Sequence, residues 1–131
     1  MSVRCVIVDD NPDFLRAAID LVERDGITVV GVASTGAQAL RACRQLLPDV
    51  VLLDIQLGEE TGFEVARLLA GEPDPGKPRV ILTSAYSIEY FVDAPTDILV
   101  HSFLPKTALS AAAVLGVLGI HAAPSAAGSI S

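Results

Sequence analysis

The sequence has few basic residues and only two cysteines. Nine Lys and Arg stand against 16 Asp and Glu, which gives a net charge of −7. Because sequence-independent binding to nucleic acid depends on clustered Lys and Arg, we expect no nucleic-acid partner. Two cysteines, Cys5 and Cys43, provide neither a disulfide framework nor a metal-binding spacing. Both are expected to be small buried hydrophobic residues.

A long apolar segment is also lacking at the amino terminus. The short run there is interrupted by Arg4 and followed by two acids, so it is too short for a signal peptide or a membrane span. We therefore expect a cytoplasmic protein without a membrane partner. A chain of 131 residues with 51% hydrophobic content suits one well-buried domain. We place this domain at residues 1–119 and expect residues 120–131 to form a flexible C-terminal tail.

Short apolar runs recur along the chain and are separated by helical patterns. Runs without polar alternation are typical of strands buried on both faces, which occur mostly in parallel sheets covered by helices. Single helices between strands imply right-handed crossovers. The fold class is therefore expected to be α/β, a doubly wound five-stranded parallel sheet with about five helices. The predicted strands are Val3–Val8, Ile27–Ala33 and residues 50–53, 80–82 and 98–104.

Capping residues and helix breakers predict where the helices begin and end. Asn11 is a candidate N-cap, Pro12 suits the first helical position, and Gly26 is expected to stop the first helix. Pro95 interrupts a weak helical pattern over residues 87–97, so the fourth helix is expected to be short or irregular. The remaining helices are predicted over residues 36–47, after Gly62, and over residues 107–118.

Polar residues follow four of the predicted strands. The carboxyl ends of parallel strands meet at one edge of the sheet, where open α/β folds place their sites. Three carboxylates brought together there would repel one another unless a cation lay among them, and Mg²⁺ suits such oxygen ligands. A lysine and a hydroxyl beside them would bind a phosphoryl group, with Asp54 as the nucleophile. The residues expected at this edge are Asp9, Asp10, Asp54, Thr83 or Ser84, and Lys106.

Four segments together resemble the receiver domain of two-component response regulators. They are VIVDDNPDFLR, PDVVLLDIQLGEETGFEVARLL, PRVILTSAY and SFLPK, and the resemblance covers roughly residues 3–119. It implies a flavodoxin-like strand order, 2-1-3-4-5. It also implies that Asp54 is the phospho-accepting aspartate.

The resemblance further implies roles for the residues around that aspartate. Asp10 resembles the family's residue that binds Mg²⁺ directly, and Asp9 resembles the one that binds it through water. The backbone carbonyl of Gln56 is similar to a further ligand. Lys106 is similar to the invariant lysine that pairs with the phosphoryl oxygens. Phe103, three residues earlier, matches the aromatic switch position of the family.

The spacing leaves the switch hydroxyl open between Thr83 and Ser84. Counting from the proline before the strand favours Thr83, whereas counting from Asp54 and back from Phe103 favours Ser84. Neighbours on a strand point to opposite faces, so only one of the two hydroxyls serves. We favour Ser84, because Ala85 follows it as in the family pattern.

The chain departs from the family pattern at two places near the expected site. Pro105 precedes Lys106 and Thr107 follows it, where the family usually has a Lys-Pro pair, so the usual cis peptide bond is not expected there. Gly58 stands where many members carry proline. We expect this glycine to loosen the loop after Asp54.

The expected function is that of a stand-alone receiver. It would take a phosphoryl group from a histidine kinase or phosphotransfer protein onto Asp54 with Mg²⁺, and signal through a downstream protein partner. We expect a signalling domain rather than an enzyme, and a weak homodimer. The alternative is a pseudo-receiver, a protein-interaction module that works without phosphorylation. Two other classes are disfavoured: Gln56 stands where a haloacid-dehalogenase-type phosphatase needs a second Asp, and the loop after the first strand lacks the Ser, Thr and Gly of a flavin-binding flavodoxin.

Overall fold

The predicted apolar runs form the strands of a parallel sheet. The computed structural model describes residues 3–24, 26–73, 77–86 and 103–119. In chain order the described strands are β1 (Val3–Val8), β2 (Ile27–Ala33), β3 (Val50–Asp54), β4 (Gln56–Leu57), β5 (Glu60–Thr61), β6 (Arg79–Ser84) and β7 (Phe103–Pro105). The helices are α1 (Pro12–Val22), α2 (Gly36–Leu46), α3 (Gly62–Ala70) and α4 (Ala111–Val117).

Five of these strands form the main sheet, in the order β2-β1-β3-β6-β7. All four neighbouring pairs are parallel. The strands β4 and β5 form a separate antiparallel hairpin after β3. Counted without this hairpin, the order is 2-1-3-4-5, which confirms the predicted doubly wound, flavodoxin-like sheet. The central strands β1 and β3 join distant parts of the chain, since the Asp49 carboxylate accepts a hydrogen bond from the Arg4 amide, 45 positions earlier.

The sheet is covered on both faces, which explains the runs without polar alternation. All five residues of β3 are buried. Along this strand Val50 and Leu52 contact the apolar cluster shared with α1 and α4. The intervening residues, Val51 and Leu53, contact the cluster shared with α2 and α3. Because successive side chains point to opposite faces, both kinds of position have to be apolar.

The helix α1 begins as predicted and ends earlier than predicted. The Asn11 side chain accepts hydrogen bonds from the amides of Asp13 and Phe14, and Pro12 is the first helical residue. The helix ends at Val22, so the expectation that Gly26 stops it directly was wrong. The next residue, Glu23, caps the helix with its amide on the Ile19 carbonyl, and its carboxylate accepts a hydrogen bond from the amide of Val29.

The last helix begins later than predicted. Residues Lys106–Ala108 form a 3-10 turn, and α4 starts only at Ala111. The physical reason is the extended backbone of Ser110, whose hydroxyl accepts a hydrogen bond from the Ala113 amide and caps the helix. The predicted start at Thr107 was therefore wrong by four residues.

Several predictions concern segments outside the described residues. These are the fourth helix over residues 87–97, the first part of the predicted fifth strand, and the tail over residues 120–131. Within the described ranges, no helix has both the length and the apolarity needed to cross a membrane. Cys5 and Cys43 are free and buried, as the sequence predicted.

Candidate functional site

Three carboxylates meet where the two central strands end. Asp9 and Asp10 follow β1, and Asp54 ends β3, the neighbouring strand. One oxygen from each of the three carboxylates lies within 4.8 Å of the others. Asp9 and Asp54 are 1% and 4% exposed, whereas Asp10 is exposed. The parallel pairing of β1 with β3 thus creates the acid cluster that the sequence predicted.

Backbone amides orient the two buried carboxylates. Oδ1 of Asp9 accepts a hydrogen bond from the amide of Asn11 at 2.9 Å. Oδ1 of Asp54 accepts one from the amide of Gln56 at 3.2 Å. In both cases the donor is the amide two residues further along the chain, a local contact typical of Asp at the start of a turn. The other oxygen, Oδ2, faces the site in each case.

Lys106 supplies a positive charge between these acids. Its Nζ lies 2.6 Å from Oδ2 of Asp9 and 3.4 Å from Oδ2 of Asp54. The contact with Asp9 is an ion pair, and no aligned hydrogen bond reaches that oxygen from the described residues. One ammonium therefore offsets part of the repulsion between two carboxylates, which leaves the cluster with an excess of negative charge.

Phe14 also contacts the Lys106 ammonium. Lys106 Nζ lies 4.2 Å from the centroid of the Phe14 ring, within the range of a cation–π contact. Sequence reasoning missed this residue. The sequence around it gives no signal of this contact, which arises because the first turn of α1 follows β1 at the edge where the acids lie.

Burial gives the phosphoacceptor candidate an unusual pKa. Desolvation, and then the neighbouring charge of Asp9, raise the pKa of Asp54 from 3.8 to about 6. The Lys106 ammonium and the hydrogen bond from the Gln56 amide lower this pKa, but by less. The carboxylate is thus mainly ionised at neutral pH, although its charge is costly to bury.

This raised pKa predicts that Asp54→Asn stabilises the metal-free domain at neutral pH. Because the pKa of Asp54 is higher in the folded state than in the unfolded state, protonation of this acid stabilises the folded domain. This stabilisation is complete below about pH 3.8 and is lost as the pH rises through about 6. Asparagine keeps the oxygen that accepts from Gln56 and removes the charge. We expect a gain in Tm of roughly 2–6 °C at pH 7.5 that shrinks toward pH 4.5.

Thermal unfolding in the presence of a chelator measures this gain. Asp20→Asn is the matched control, because Asp20 is an exposed acid farther along α1. A gain of the same size at both pH values would show that burial of the Asp54 charge is not its cause.

The two candidate hydroxyls lie at the end of β6 and are both buried. Thr83 is in register with Asp54 on β3. Ser84 is one residue farther, and its Oγ accepts a hydrogen bond from the Tyr86 amide at 3.0 Å. Because side chains alternate along a strand, Ser84 lies on the same face as Leu82, which pairs with Phe103.

The hairpin after β3 forms the rim of the site on the side of Asp10. Gly58, in its turn, has a φ of +60°, and a Cβ there would lie 3.8 Å from Oδ2 of Asp10. Proline, with its φ fixed near −65°, does not fit this conformation. That glycine loosens this loop stays a prediction. The strands on either side of the turn are paired, Gln56 with Thr61 and Leu57 with Glu60.

Another glycine, Gly62, packs directly beneath Asp54. It is the first residue of α3 and is buried, and its amide donates a hydrogen bond to the Ile55 carbonyl at 2.6 Å. A Cβ at this position would lie 2.4 Å from the carbonyl oxygen of Asp54. The close approach of these two backbones places the start of α3 against the end of β3.

Comparison with known proteins agrees with this geometry. The family model of the response regulator receiver domain matches residues 5–114. A similar curated protein is the response regulator GacA of Pseudomonas viridiflava, 41% identical over 75 residues, which cover 55% of this chain and 35% of that protein. A putative transcriptional regulator of Pseudomonas aeruginosa is 47% identical over 66 residues, which cover 50% of this chain and 32% of that protein. The matched parts thus span about a third of these relatives.

Solved structures show the same likeness. The signal receiver domain of the putative response regulator NarL from Mycobacterium tuberculosis is 31% identical, with a TM-score of 0.72 and coverage of 90% of this chain and 98% of that one. A LuxR-family two-component response regulator from Aurantimonas has a TM-score of 0.75 at 23% identity, with coverage of 92% and 89%, and supports the fold alone. With a family model that spans most of its length and an acid cluster at the sheet edge, the chain belongs to the receiver domain family of two-component response regulators.

Proposed function

We propose that this receiver accepts a phosphoryl group on Asp54 from a histidine kinase or a phosphotransfer protein. The observation that carries the proposal is the environment of Asp54: its Oδ2 lies 3.4 Å from Lys106 Nζ, within a cluster of three carboxylates. A lone acid at a strand end would not need a lysine and two further acids around it. This arrangement argues against a pseudo-receiver, which has no use for them.

The three acids fit a Mg²⁺ ion. They offer hard oxygen ligands within 4.8 Å of one another, and Asp9 Oδ2 accepts no aligned hydrogen bond from the described residues. Asp10 and Asp54 would hold the ion directly, Asp9 through water, and the Gln56 carbonyl would complete the protein ligands. When bound, the ion would neutralise oxygens of the incoming phosphoryl group.

Asp54 would act as the nucleophile in this transfer. A carboxylate oxygen forms a bond to phosphorus while the bond from phosphorus to the donor's imidazole nitrogen breaks, and that nitrogen keeps the electron pair. The reaction needs the ionised carboxylate, and with a pKa of about 6 this form predominates at neutral pH. Burial also removes water from the nucleophile, since Asp54 is only 4% exposed.

Lys106 would then exchange partners. Before transfer its ammonium lies between Asp9 and Asp54, held by the ring of Phe14. After transfer the phosphoryl oxygens carry more negative charge than the carboxylate did, so the ammonium would pair with them in a charge-assisted contact. We propose that this exchange matters more for the phosphorylated state than for the transfer itself.

Ser84 is our candidate for the hydroxyl that senses the phosphoryl group. It is fully buried, and it lies on the same face of the sheet as Leu82, the partner of Phe103 in β7. A new hydrogen bond to a phosphoryl oxygen would draw the hydroxyl away from its contact with the Tyr86 amide. Space released on this face would let Phe103, which is half-buried, move inward. Thr83 lies on the opposite face and suits this coupling less well.

Signalling would pass to a downstream protein in the cytoplasm, through the surface near β7 and the last helix. The phosphoryl group shifts the domain only by its differential affinity for two states. One or two charge-assisted hydrogen bonds contribute about 1.5–3 kcal/mol each, enough to move a balanced equilibrium. The same surface would also form the contact of a weak homodimer.

Intact-mass measurement after incubation with acetyl phosphate and Mg²⁺ tests the proposal. We expect the wild type to gain the mass of one phosphoryl group and Asp54→Asn to gain none, because the variant lacks the nucleophile. Asp20→Asn, which removes an exposed acid of α1, should behave as the wild type. Wild-type protein that stays unmodified under these conditions, and with a phosphorylated histidine kinase, would favour the pseudo-receiver instead.

A further inference from the structure

A carboxylate outside the acid cluster links the loop after Asp54 to a neighbouring helix. Oε1 of Glu60 accepts a hydrogen bond from the amide of Gly36 at 2.9 Å, across 24 positions of sequence. Gly36 is the first residue of α2, and Glu60 lies in β5, the second strand of the hairpin. The contact therefore fixes the hairpin against the amino terminus of α2.

The packing around this contact is close. A Cβ on Gly36 would lie 2.6 Å from Oε2 of Glu60 and 2.9 Å from Cγ2 of Val65. The space beside the Gly36 amide is thus filled by the carboxylate, and glycine at this position permits the approach. The two oxygens of Glu60 both lie against α2, which separates this acid from the three that form the cluster.

The start of α2 favours a carboxylate at this place. The first amides of a helix lack partners within the helix, and they form its positive end. Thr35 caps the amide of Gln38, so the Gly36 amide needs a second acceptor. Glu60 provides it from another part of the chain.

The hairpin held in this way carries two contacts of the phosphoacceptor site. The Gln56 amide donates to Oδ1 of Asp54, and Gly58 lies beside Oδ2 of Asp10. A hairpin with two residues in each strand is too short to hold its own geometry. Glu60 is directly opposite Leu57 in the pairing, so a fixed Glu60 sets the position of both strands.

We infer that Glu60 is a positioning residue for phosphorylation: by accepting the Gly36 hydrogen bond it holds the Gln56–Thr61 hairpin, and with it the Gln56 backbone, in register with Asp54 and Asp10. The inference rests on the proposed function, because the residues that it positions are those of the proposed transfer. Glu60 itself lies outside the group of acids that would hold the metal.

Three variants test this role: Glu60→Ala, Glu60→Gln and Glu59→Ala. Glutamine keeps an oxygen that accepts from Gly36, and Glu59, exposed in the turn of the hairpin, loses the same charge without touching the contact. The readouts are Mg²⁺ affinity by calorimetry, the rate of phosphorylation by acetyl phosphate, the NMR shift and hydrogen exchange of the Gly36 amide, and Tm.

We expect Glu60→Ala to weaken Mg²⁺ binding and slow phosphorylation by about 10-fold, as loss of a residue that orients metal ligands does. It should also speed exchange of the Gly36 amide. Glu60→Gln should stay within about threefold of the wild type, and Glu59→Ala should match the wild type, apart from the small effect of one surface charge.

The inference is overturned by any of three results. In the first, Glu60→Ala lowers Tm but leaves Mg²⁺ affinity and rate unchanged, which makes Glu60 a helix cap only. In the second, Glu60→Gln loses as much as Glu60→Ala, which makes charge the cause. In the third, Glu59→Ala loses as much. Failure of the proposed function gives a different pattern: the wild type itself is not phosphorylated, while the Gly36 amide and Mg²⁺ affinity still report on the contact.

Discussion

Replacement of Gly62 by alanine is expected to destabilise the domain by about 3 kcal/mol, near the upper end for overpacked sites. The added Cβ would lie 2.4 Å from the carbonyl oxygen of Asp54 and 2.8 Å from Cα of Ile55. Both are backbone atoms, so no rotation of a side chain relieves the contact. Either the start of α3 or the end of β3 has to move, and the second displaces Asp54, the proposed phosphoacceptor.

Urea unfolding followed by circular dichroism measures this loss. Gly116→Ala is the matched control, because Gly116 lies in α4 and an added Cβ there meets nothing within 4 Å. That change should leave stability equal or raise it by roughly 0.5–1 kcal/mol, since alanine favours a helix more than glycine does. A Gly62→Ala variant with wild-type stability would mean that the two backbones do not approach as described.

The second large effect is expected for Asp10→Ala, which should abolish detectable Mg²⁺ binding without unfolding the domain. Asp10 is exposed, so its removal leaves no cavity, but its oxygen is one of the three carboxylate oxygens that, among the described residues, lie within 4.8 Å of one another and are the proposed ligands. Asp9 cannot replace it, because Asp9 accepts from the Asn11 amide and pairs with Lys106. Asp10→Ala should for the same reason prevent phosphorylation by acetyl phosphate.

Titration calorimetry with Mg²⁺ checks this expectation, and thermal unfolding confirms that the variant is folded. Asp20→Ala removes an equal charge from an exposed position of α1 and should bind Mg²⁺ as the wild type does. Unchanged affinity in Asp10→Ala would refute the ligand assignment. Equal losses in both variants would indicate that net charge, rather than coordination, governs binding.

The strands could be predicted from sequence because a strand buried on both faces appears as a run of consecutive apolar residues. Val3–Val8 and Ile27–Ala33 were predicted with their observed bounds; β3 ends one residue later than predicted, and β6 begins one residue earlier and ends two residues later. Once strands alternate with helices, the parallel sheet and the meeting of Asp9, Asp10 and Asp54 follow from topology. The acid cluster was therefore predictable without any knowledge of side-chain contacts.

Helix ends were less predictable, because they depend on single hydrogen bonds. The Ala-rich segment before Leu118 offers both Thr107 and Ser110 as residues that suit a helix start, and the hydrogen bond of the Ser110 cap decides between them. Gly26 resembles a helix stop, yet it has a φ of +91° in the turn that leads to β2, after the helix has ended. In both cases the sequence contains more than one residue that suits the end of a helix.

Two contacts between distant residues could not be predicted from sequence, those of Phe14 and of Glu60. Nothing in the local pattern around Phe14 connects it with Lys106, and nothing around Glu60 connects it with Gly36. Both contacts exist only because the sheet brings separate loops to one edge. The family resemblance did not supply them either, since it concerned motif residues rather than the residues that hold them.

The pairing of β1 with β3 also sets when the acid cluster arises during folding. It joins residues 45 positions apart, as the contact of Arg4 with Asp49 shows, so a long loop must close before the two strands meet. In the unfolded chain Asp54 is therefore remote from Asp9 and Asp10, and their repulsion begins only with this pairing. A cation held by all three acids stabilises only conformations in which these strands have already paired. Such a cation therefore raises the free energy of unfolding, by an amount that grows with its concentration.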